Sequence, residues 1–409
     1  MTASKVRLAA LLAAGGLALA TAGTAQPPAA APALTFTREE RSAIAALQTA
    51  AAGTDRAAQD AAVQAARGVA RSANARYAVA NLHFQIARQR GDTQAMAAAA
   101  DEMIGSGVPQ GAELSALLAN QASRAFSAND LRRLDRILER MVEAQPNHPA
   151  VLADAGQMKA RLGDRPAAVA LLQRALAAHR ASGRPAPESW YHRALGLAVE
   201  GRLVPQSISL GRALVAAYPT PANWRDAMLT YRQAVAGDPA LELDIRRLAR
   251  AAQGLAGERD YLDHAQAFAR AHPGEAKAAL DEGVSRGMLN ASEAAVRQAI
   301  AAAHPAAARE RAGLAAAPTR ALAAADGAPA LAAGDAHLGH GQYAQAAELY
   351  RAALQKGGQD PNLVNTRLGA ALALAGQRAE AEAAFRLVTG PRAELAGFWL
   401  AWLAGRPSA

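Results

Sequence analysis

Residues 334–350, GDAHLGHGQYAQAAELY, have a pattern that returns as GAALALAGQRAEAEAAF at residues 369–385. Two glycines, an alanine and a final aromatic residue recur, each displaced by 35 residues. The same internal spacing occurs upstream in GQMKARLGDRPAAVALL at residues 156–172, where leucine takes the aromatic position. A period of this length indicates stacked repeats, each of which is one supersecondary unit.

Each repeated position has a role in a pair of helices. The first glycine lies mid-helix, where it costs about 1 kcal/mol relative to alanine, so it indicates close contact between helices. The second glycine lies where the first helix ends, a usual place for left-handed backbone. The alanine lets the second helix approach, and the large apolar residue one turn later fills the space between pairs. The positions are Gly156, Gly163, Ala168 and Leu172, then Gly334, Gly341, Ala346 and Tyr350, then Gly369, Gly376, Ala381 and Phe385.

The pattern resembles the tetratricopeptide repeat, whose signature has small residues at these sites and a large apolar residue four positions after the alanine. The resemblance implies an all-α fold, a right-handed α-solenoid of helix-turn-helix repeats. It is weaker elsewhere: in residues 188–219, Leu195 and Gly196 fit the first helix, but the second helix is off register. The match is good over residues 149–180, 327–357 and 362–390, and partial over residues 77–105, 111–145, 188–219 and 221–289.

Composition agrees with a helical fold. Hydrophobic residues make up 51% of the 409 residues but aromatic residues only 4%, and most of the apolar content is alanine, the best helix former. Ten of the 20 prolines, among them Pro305, fall where we expect breaks between helices. Cysteine is absent, so disulfides, thiolate nucleophiles and thiolate-bound zinc are excluded.

The first 25 residues predict an export signal. Lys5 and Arg7 precede an apolar run, and Ala25 ends a stretch of small residues suited to cleavage. The predicted location is the periplasm of a Gram-negative bacterium. Removing the two basic residues lowers the formal net charge of +9 to +7. No later apolar run is long enough for a membrane span, so we expect no integral membrane segment after cleavage.

The chain is then divided by composition. A flexible tether is expected at residues 26–37, a TPR-like superhelix at 38–304, an irregular Ala/Pro-rich linker at 305–330, and a pair of repeats at 331–409. The last segment ends in an aromatic-rich helix, which we interpret as a cap over the final repeat, because repeat arrays need capped ends. Its aromatic residues are Phe398, Trp399 and Trp402.

Motifs of catalysis are not found in the sequence, which predicts that the protein is not an enzyme. The closest histidines, His337 and His340, are interpreted as polar surface and a helix end, since a metal needs at least three converging ligands. Adjacent acids such as Glu39 and Glu40 point apart on a helix and are expected on solvated faces. No catalytic, metal-binding or cofactor-binding residue is therefore predicted.

The resemblance implies that partners bind along the concave face, which the first helix of each repeat builds. The arginines among these positions predict a cationic groove for an acidic partner segment. Arginine is also the commonest basic residue of this chain, as GC-rich codon usage favours, so the same pattern could reflect any solvated surface. The candidate groove residues are Asn81, Gln85, Arg88, Gln157, Arg161, Trp190, Arg193, Arg225, Arg232 and Asp335.

The expected function is a non-catalytic protein–protein interaction scaffold or adaptor in the cell envelope, with a protein or peptide partner. The alternative is an accessory or carrier protein for an anionic envelope polysaccharide, whose binding would depend strongly on salt. Nucleic acid is not expected as a partner of an exported chain, despite its basic character.

Overall fold

The computed structural model describes residues 34–406, which are helical apart from their connections and contain no strand. The chain divides into two compact units, and the boundary falls between Ala178 and His179. The expected signal peptide and residues 26–33 of the expected tether lie outside the described residues, as do residues 407–409. Within the described part, no helix has both the length and the apolar character of a membrane span.

The first unit consists of antiparallel helical hairpins joined in chain order. Helices α1 and α2, α3 and α4, and α5 and α6 pack as pairs, and Gly156 of α7 approaches Leu172 of α8. The bounds are α1 (Arg38–Ala52), α2 (Arg56–Val69), α3 (Ala73–Arg90), α4 (Thr93–Gly105), α5 (Gly111–Ser127), α6 (Leu131–Ala144), α7 (Pro149–Arg161) and α8 (Arg165–Ala181).

The second unit continues with the same kind of hairpin. The helices α9 and α10, α13 and α14, α17 and α18, and α19 and α20 are closely packed pairs. The bounds are α9 (Glu188–Glu200), α10 (Val204–Ala217), α11 (Pro221–Ala234), α12 (Pro239–Ala251), α13 (Glu258–Phe268), α14 (Pro273–Ser285), α15 (Ala294–Gly313), α16 (Ala317–Ala323), α17 (Ala328–Gly339), α18 (Tyr343–Lys356), α19 (Pro361–Leu374), α20 (Arg378–Arg386) and α21 (Ala393–Ala404).

The glycines of the repeat take the predicted roles. Gly163, Gly341 and Gly376, which follow the first helices, have φ values of 84°, 74° and 80°, where residues with a side chain are strained. The mid-helix glycines lie against the large residue of the second helix. A Cβ atom at Gly334 would lie 2.7 Å from Tyr350 Cε1, and one at Gly369 would lie 2.5 Å from Phe385 Cε1. The 35-residue pattern therefore encodes the packing of each hairpin.

The C-terminal helix α21 caps the last hairpin, as expected, and also packs on an earlier part of the second unit. Trp399 stacks on Phe385 of α20, with ring centroids 5.8 Å apart. On its other side, Phe398 stacks on Tyr231 of α11 at 5.5 Å, and α21 contacts α10. Arg212 of α10 forms an ion pair with α21. Helix α21 thus joins the last hairpin to residues that lie more than 150 positions before those of α21.

The region expected to be an irregular linker, residues 305–330, is largely helical. Helix α15 continues through Pro305 to Gly313, and the short helix α16 packs on α17. The proline lacks the N–H that would bond the Ala301 carbonyl, but Ala301 and Pro305 are both exposed, so water can bond that carbonyl instead. The division into compact units instead falls after Ala178.

Glu40 was expected on a solvated face, and it is buried. Its carboxylate accepts hydrogen bonds from the backbone N–H of Thr37, 3.0 Å away, and from those of Arg71 and Ser72 at 3.0 and 2.8 Å. These hydrogen bonds, of which the one from the Ser72 amide contributes most, lower the pKa of Glu40 from 4.5 to about 2. Glu40 thereby joins the start of α1 to the start of α3, which spacing along one helix could not reveal.

Candidate functional site

The candidate groove residues of α3 form a polar row. The Asn81 amide donates to the Tyr77 hydroxyl at 3.4 Å, and the Gln85 amide donates to Asn81 Oδ1 at 2.7 Å. Arg88 follows one turn later on the same face and is exposed. The Tyr77 hydroxyl donates in turn to the carboxylate of Glu113, on the first helix of the next hairpin. The row on α3 is therefore joined to α5.

The next two candidates lie on α7, whose contact with α5 continues this row. The Arg161 guanidinium lies over the ring of Phe126, 5.3 Å from its centroid, and Phe126 is near the end of α5. Gln157 is half-buried one turn before Arg161. The first helices α3, α5 and α7 thus contact one another through polar and aromatic side chains. We call this surface, defined by Tyr77, Asn81, Gln85, Arg88, Glu113, Phe126, Gln157 and Arg161, the first-helix face.

Most of the candidate groove residues of the second unit contact other side chains of that unit. Arg225 forms a bidentate ion pair with Asp260, at 2.6 and 3.2 Å, and Arg232 donates to Glu242 at 3.1 Å. Trp190 is half-buried and lies edge-on to a histidine ring 5.8 Å away. Arg193 is exposed. The carboxylates beside Arg225 and Arg232 offset much of the cationic character that the sequence predicted for them.

Asp335 is buried in the second unit, where it is not accessible as a groove residue. Tyr350 donates to Asp335 Oδ1 at 2.8 Å, and Arg367 donates to Oδ2 at 2.7 Å. Arg367 also donates to Asp244, 3.0 Å away, which brings α17, α18, α19 and α12 to one point. Asp335 therefore stabilises the interior through an ion pair with the following hairpin.

Asp244 is the centre of a buried ionic cluster. Its carboxylate accepts hydrogen bonds from three guanidinium groups, those of Arg247 at 2.5 Å, Arg367 at 3.0 Å and Arg392 at 2.6 Å. Glu275 engages Arg247 from the other side, at 2.5 to 3.0 Å. The cluster consists of Asp244, Arg247, Glu275, Asp335, Arg367 and Arg392, each at most 7% exposed. Three carboxylates thus balance three guanidinium groups.

The charges of this cluster stabilise one another. Burial alone would raise the pKa of Asp244, but Arg367, Arg247 and Arg392 outweigh it and hold that pKa at about 2. Burial likewise opposes the charge of Arg247, yet Glu275 and Asp244 hold its pKa well above the usual range. The sequence contained one signal of the cluster: Asp244 lies on the apolar stripe of α12, beside Leu241 and Leu248.

A cavity of about 360 Å³ lies beside the ionic cluster, between α12–α14 and α17–α19. A second cavity of about 330 Å³ adjoins it, and both are lined by Arg250, Leu338 and Tyr343. His264 lines the first cavity, and His340 lines the second, where it bonds Glu310 at 2.9 Å. These cavities contain polar groups that the sequence analysis did not identify as a site.

The histidines do not form a metal site in the part of the chain that the structure describes, residues 34–406. No group of three or more histidine and acidic side chains there could hold a metal ion. His337 was interpreted as polar surface, but it is buried, in a helix that packs against α14, α16 and α18.

Comparison with known proteins adds little to this geometry. No protein-family model matches the chain, and no curated protein matches it. Among solved structures, the chain is similar to a tetratricopeptide repeat protein from Parabacteroides merdae ATCC 43184. The identity is 15%, the match covers 63% of this chain and 99% of that chain, and the TM-score is 0.28. Because so low a score carries no argument, the repeat assignment rests on the hairpins and their 35-residue period.

Proposed function

We propose that this chain is a non-catalytic protein–protein interaction scaffold in the cell envelope, and that it binds a partner segment along the first-helix face of its first unit. The observation that carries the proposal is the chain of contacts from α3 through α5 to α7. The pair Tyr77–Glu113 joins the first two helices, and the pair Arg161–Phe126 joins the next two. A surface that continues across successive repeats suits an extended peptide.

The proposal places the acidic partner's contacts on the first unit. Arg88 is exposed with Gln85 one turn before it, so a carboxylate and a peptide amide could be bound side by side. Arg225 and Arg232 of the second unit already bond carboxylates, and a partner would have to displace those. Because they lie on the first-helix face, Arg88 and Arg161 are the arginines expected to matter most. The envelope location rests on the signal peptide predicted at residues 1–25.

The test is affinity purification of residues 26–409 from envelope extracts, with the co-purifying proteins identified by mass spectrometry. The site variant carries Arg88→Ala and Arg161→Ala. Its matched control carries Arg136→Ala and Arg140→Ala, which remove two exposed arginines from the second helix α6. A partner that is retained by the control and lost from the site variant would support the proposal. Equal recovery with both variants would refute this face as the binding surface.

An anionic polysaccharide carrier is the second candidate function, because the chain without its signal keeps a net charge of +7 after loss of Lys5 and Arg7 from the +9 total. Electrostatic binding of a polyanion weakens steeply with salt, since exposed charges are screened beyond about 8 Å at physiological ionic strength. Retardation of residues 26–409 in gels that contain an acidic polysaccharide, abolished by moderate salt, would favour the carrier. Mobility unchanged by the polysaccharide would exclude it.

A further inference from the structure

His264 is an unusual feature of the cavity beside the ionic cluster. It is 1% exposed, and neither ring nitrogen has a hydrogen-bond partner in the described part of the chain. Burial, reinforced by the positive charge of Arg250 and neighbouring arginines, lowers its pKa well below the usual range, so the ring is neutral and has one N–H donor. A buried polar group without a partner is costly, and it is explained where a ligand completes the hydrogen bond.

The wall next to His264 has more positive than negative charge. Arg250 Nε donates to Glu282 at 2.8 Å, and Arg286 Nη1 donates to the same carboxylate at 3.3 Å. Two guanidinium groups therefore share one counter-ion, while Arg247 is fully engaged by Glu275 and Asp244. One positive charge at this wall is left without a matching carboxylate.

Other side chains at the cavity have hydrogen-bond donors that bond no other group among the described residues. Among the described residues, Arg250 Nη1 has no hydrogen-bond partner, and Arg286 uses only its Nη1. The hydroxyl of Tyr343, which lines both cavities, is also without one. Guanidinium, imidazole N–H and phenol groups all donate, and the set has positive charge in excess. Its complement is a ligand with several acceptor oxygens and a negative charge.

We propose that this cavity is a binding site for a small molecule bearing an oxyanion, a carboxylate or a phosphate. The oxyanion accepts hydrogen bonds from Arg286, Arg250 and His264, and the rest of the molecule extends past Tyr343 into the adjoining cavity. Lys277, which pairs with Asp281, and Arg311 line that second space, and Arg311 adds positive charge there. Volumes of about 360 and 330 Å³ lie in the range of ordinary small-molecule sites.

The site goes beyond the proposed scaffold function, because it lies within the second unit and uses none of the residues of the first-helix face. A small ligand bound here would contact α12, α13 and α14 on one side and α17, α18 and α19 on the other. It would therefore stabilise the second unit by binding only the folded state.

The test is isothermal titration of residues 26–409 with inorganic phosphate and with citrate, each compared with sodium chloride at equal ionic strength. Saturable binding of either anion, with a matching rise of the Tm, is the expected result, and the anion that binds tells whether the site prefers phosphate or carboxylate. Arg286→Gln should weaken binding about tenfold, since it removes one charge-assisted donor. The control Arg259→Gln removes an exposed arginine of α13 outside the cavity and should not change it.

His264→Phe separates the ligand's role from a packing role. Phenylalanine keeps a ring in contact with Phe268, whose centroid is 4.7 Å away, and removes both nitrogens. The variant should keep or raise the Tm without ligand and bind the anion less tightly. The proposal is overturned if neither phosphate nor citrate binds more than sodium chloride explains. It is also overturned if Arg286→Gln and Arg259→Gln bind equally well.

Discussion

Replacing Asp244 by asparagine is the sharpest test of how the second unit is held together. The substitution keeps the shape of the side chain and removes its charge. Three guanidinium groups, those of Arg247, Arg367 and Arg392, then face two carboxylates in a region at most 7% exposed. The interior would have one uncompensated positive charge, which solvent cannot screen.

The expected loss is about 3–5 kcal/mol in the free energy of unfolding of the second unit, the range for removing one partner of a buried ion pair. The loss arises from the arginines left behind rather than from the bonds of Asp244 alone. Adding Arg392→Met to Asp244→Asn removes one charge of each sign. The double variant should therefore be less destabilised than the sum of the two single variants.

Urea unfolding followed by tryptophan fluorescence measures this loss, because all four tryptophans lie in the second unit. The control is Asp263→Asn, which breaks a solvent-exposed pair with Arg259 at 3.7 Å and should cost no more than about 1 kcal/mol. If Asp244→Asn stays within about 1 kcal/mol of the wild type, the ionic cluster does not stabilise the second unit. Strict additivity in the double variant would also contradict the reasoning.

The other predictions concern packing and pH. Gly369→Ala places a Cβ atom 2.5 Å from Phe385 and should destabilise the second unit by about 1–3 kcal/mol. Gly196→Ala has open space around the new Cβ atom and should stabilise the same unit by up to about 1 kcal/mol. The tryptophan fluorescence assay compares the two variants. Phe398→Ala should cost about 3–5 kcal/mol by that assay, and a smaller effect than Gly369→Ala would be evidence against the docking of α21. Because the pKa of Glu40 falls from 4.5 to about 2 on folding, its stabilisation is complete above pH 4.5 and is lost as the pH falls toward 2. Glu40→Gln should therefore be less stable than the wild type at pH 5 and approach it near pH 2, as measured by circular dichroism in urea; a difference independent of pH would refute this.

Sequence reasoning predicted the candidate site less well than the hairpins. Asn81 and Gln85 do lie in one row, because residues four apart on a helix are neighbours whatever the tertiary structure. Asp335 has the same register position, but a guanidinium from α19 covers it. The charge pairing of Arg225 with Asp260 was also missed, since the two residues are 35 positions apart on different helices. Whether a residue is exposed depends on which helix packs over it. A periodic sequence pattern carries no information about that packing.

The hairpins of this protein follow from local spacing along the chain. Gly334 and Tyr350 are 16 residues apart, so their contact needs only two helices and one turn, and the left-handed Gly341 between them marks that turn. The contacts of Phe398 with Tyr231 and of Asp244 with Arg392, at separations of more than 140 residues, became visible only in the folded chain. The physical reason is that local spacing sets which residues share a helix face. Which distant helix packs over that face depends on the combined geometry of all the hairpins between the two helices.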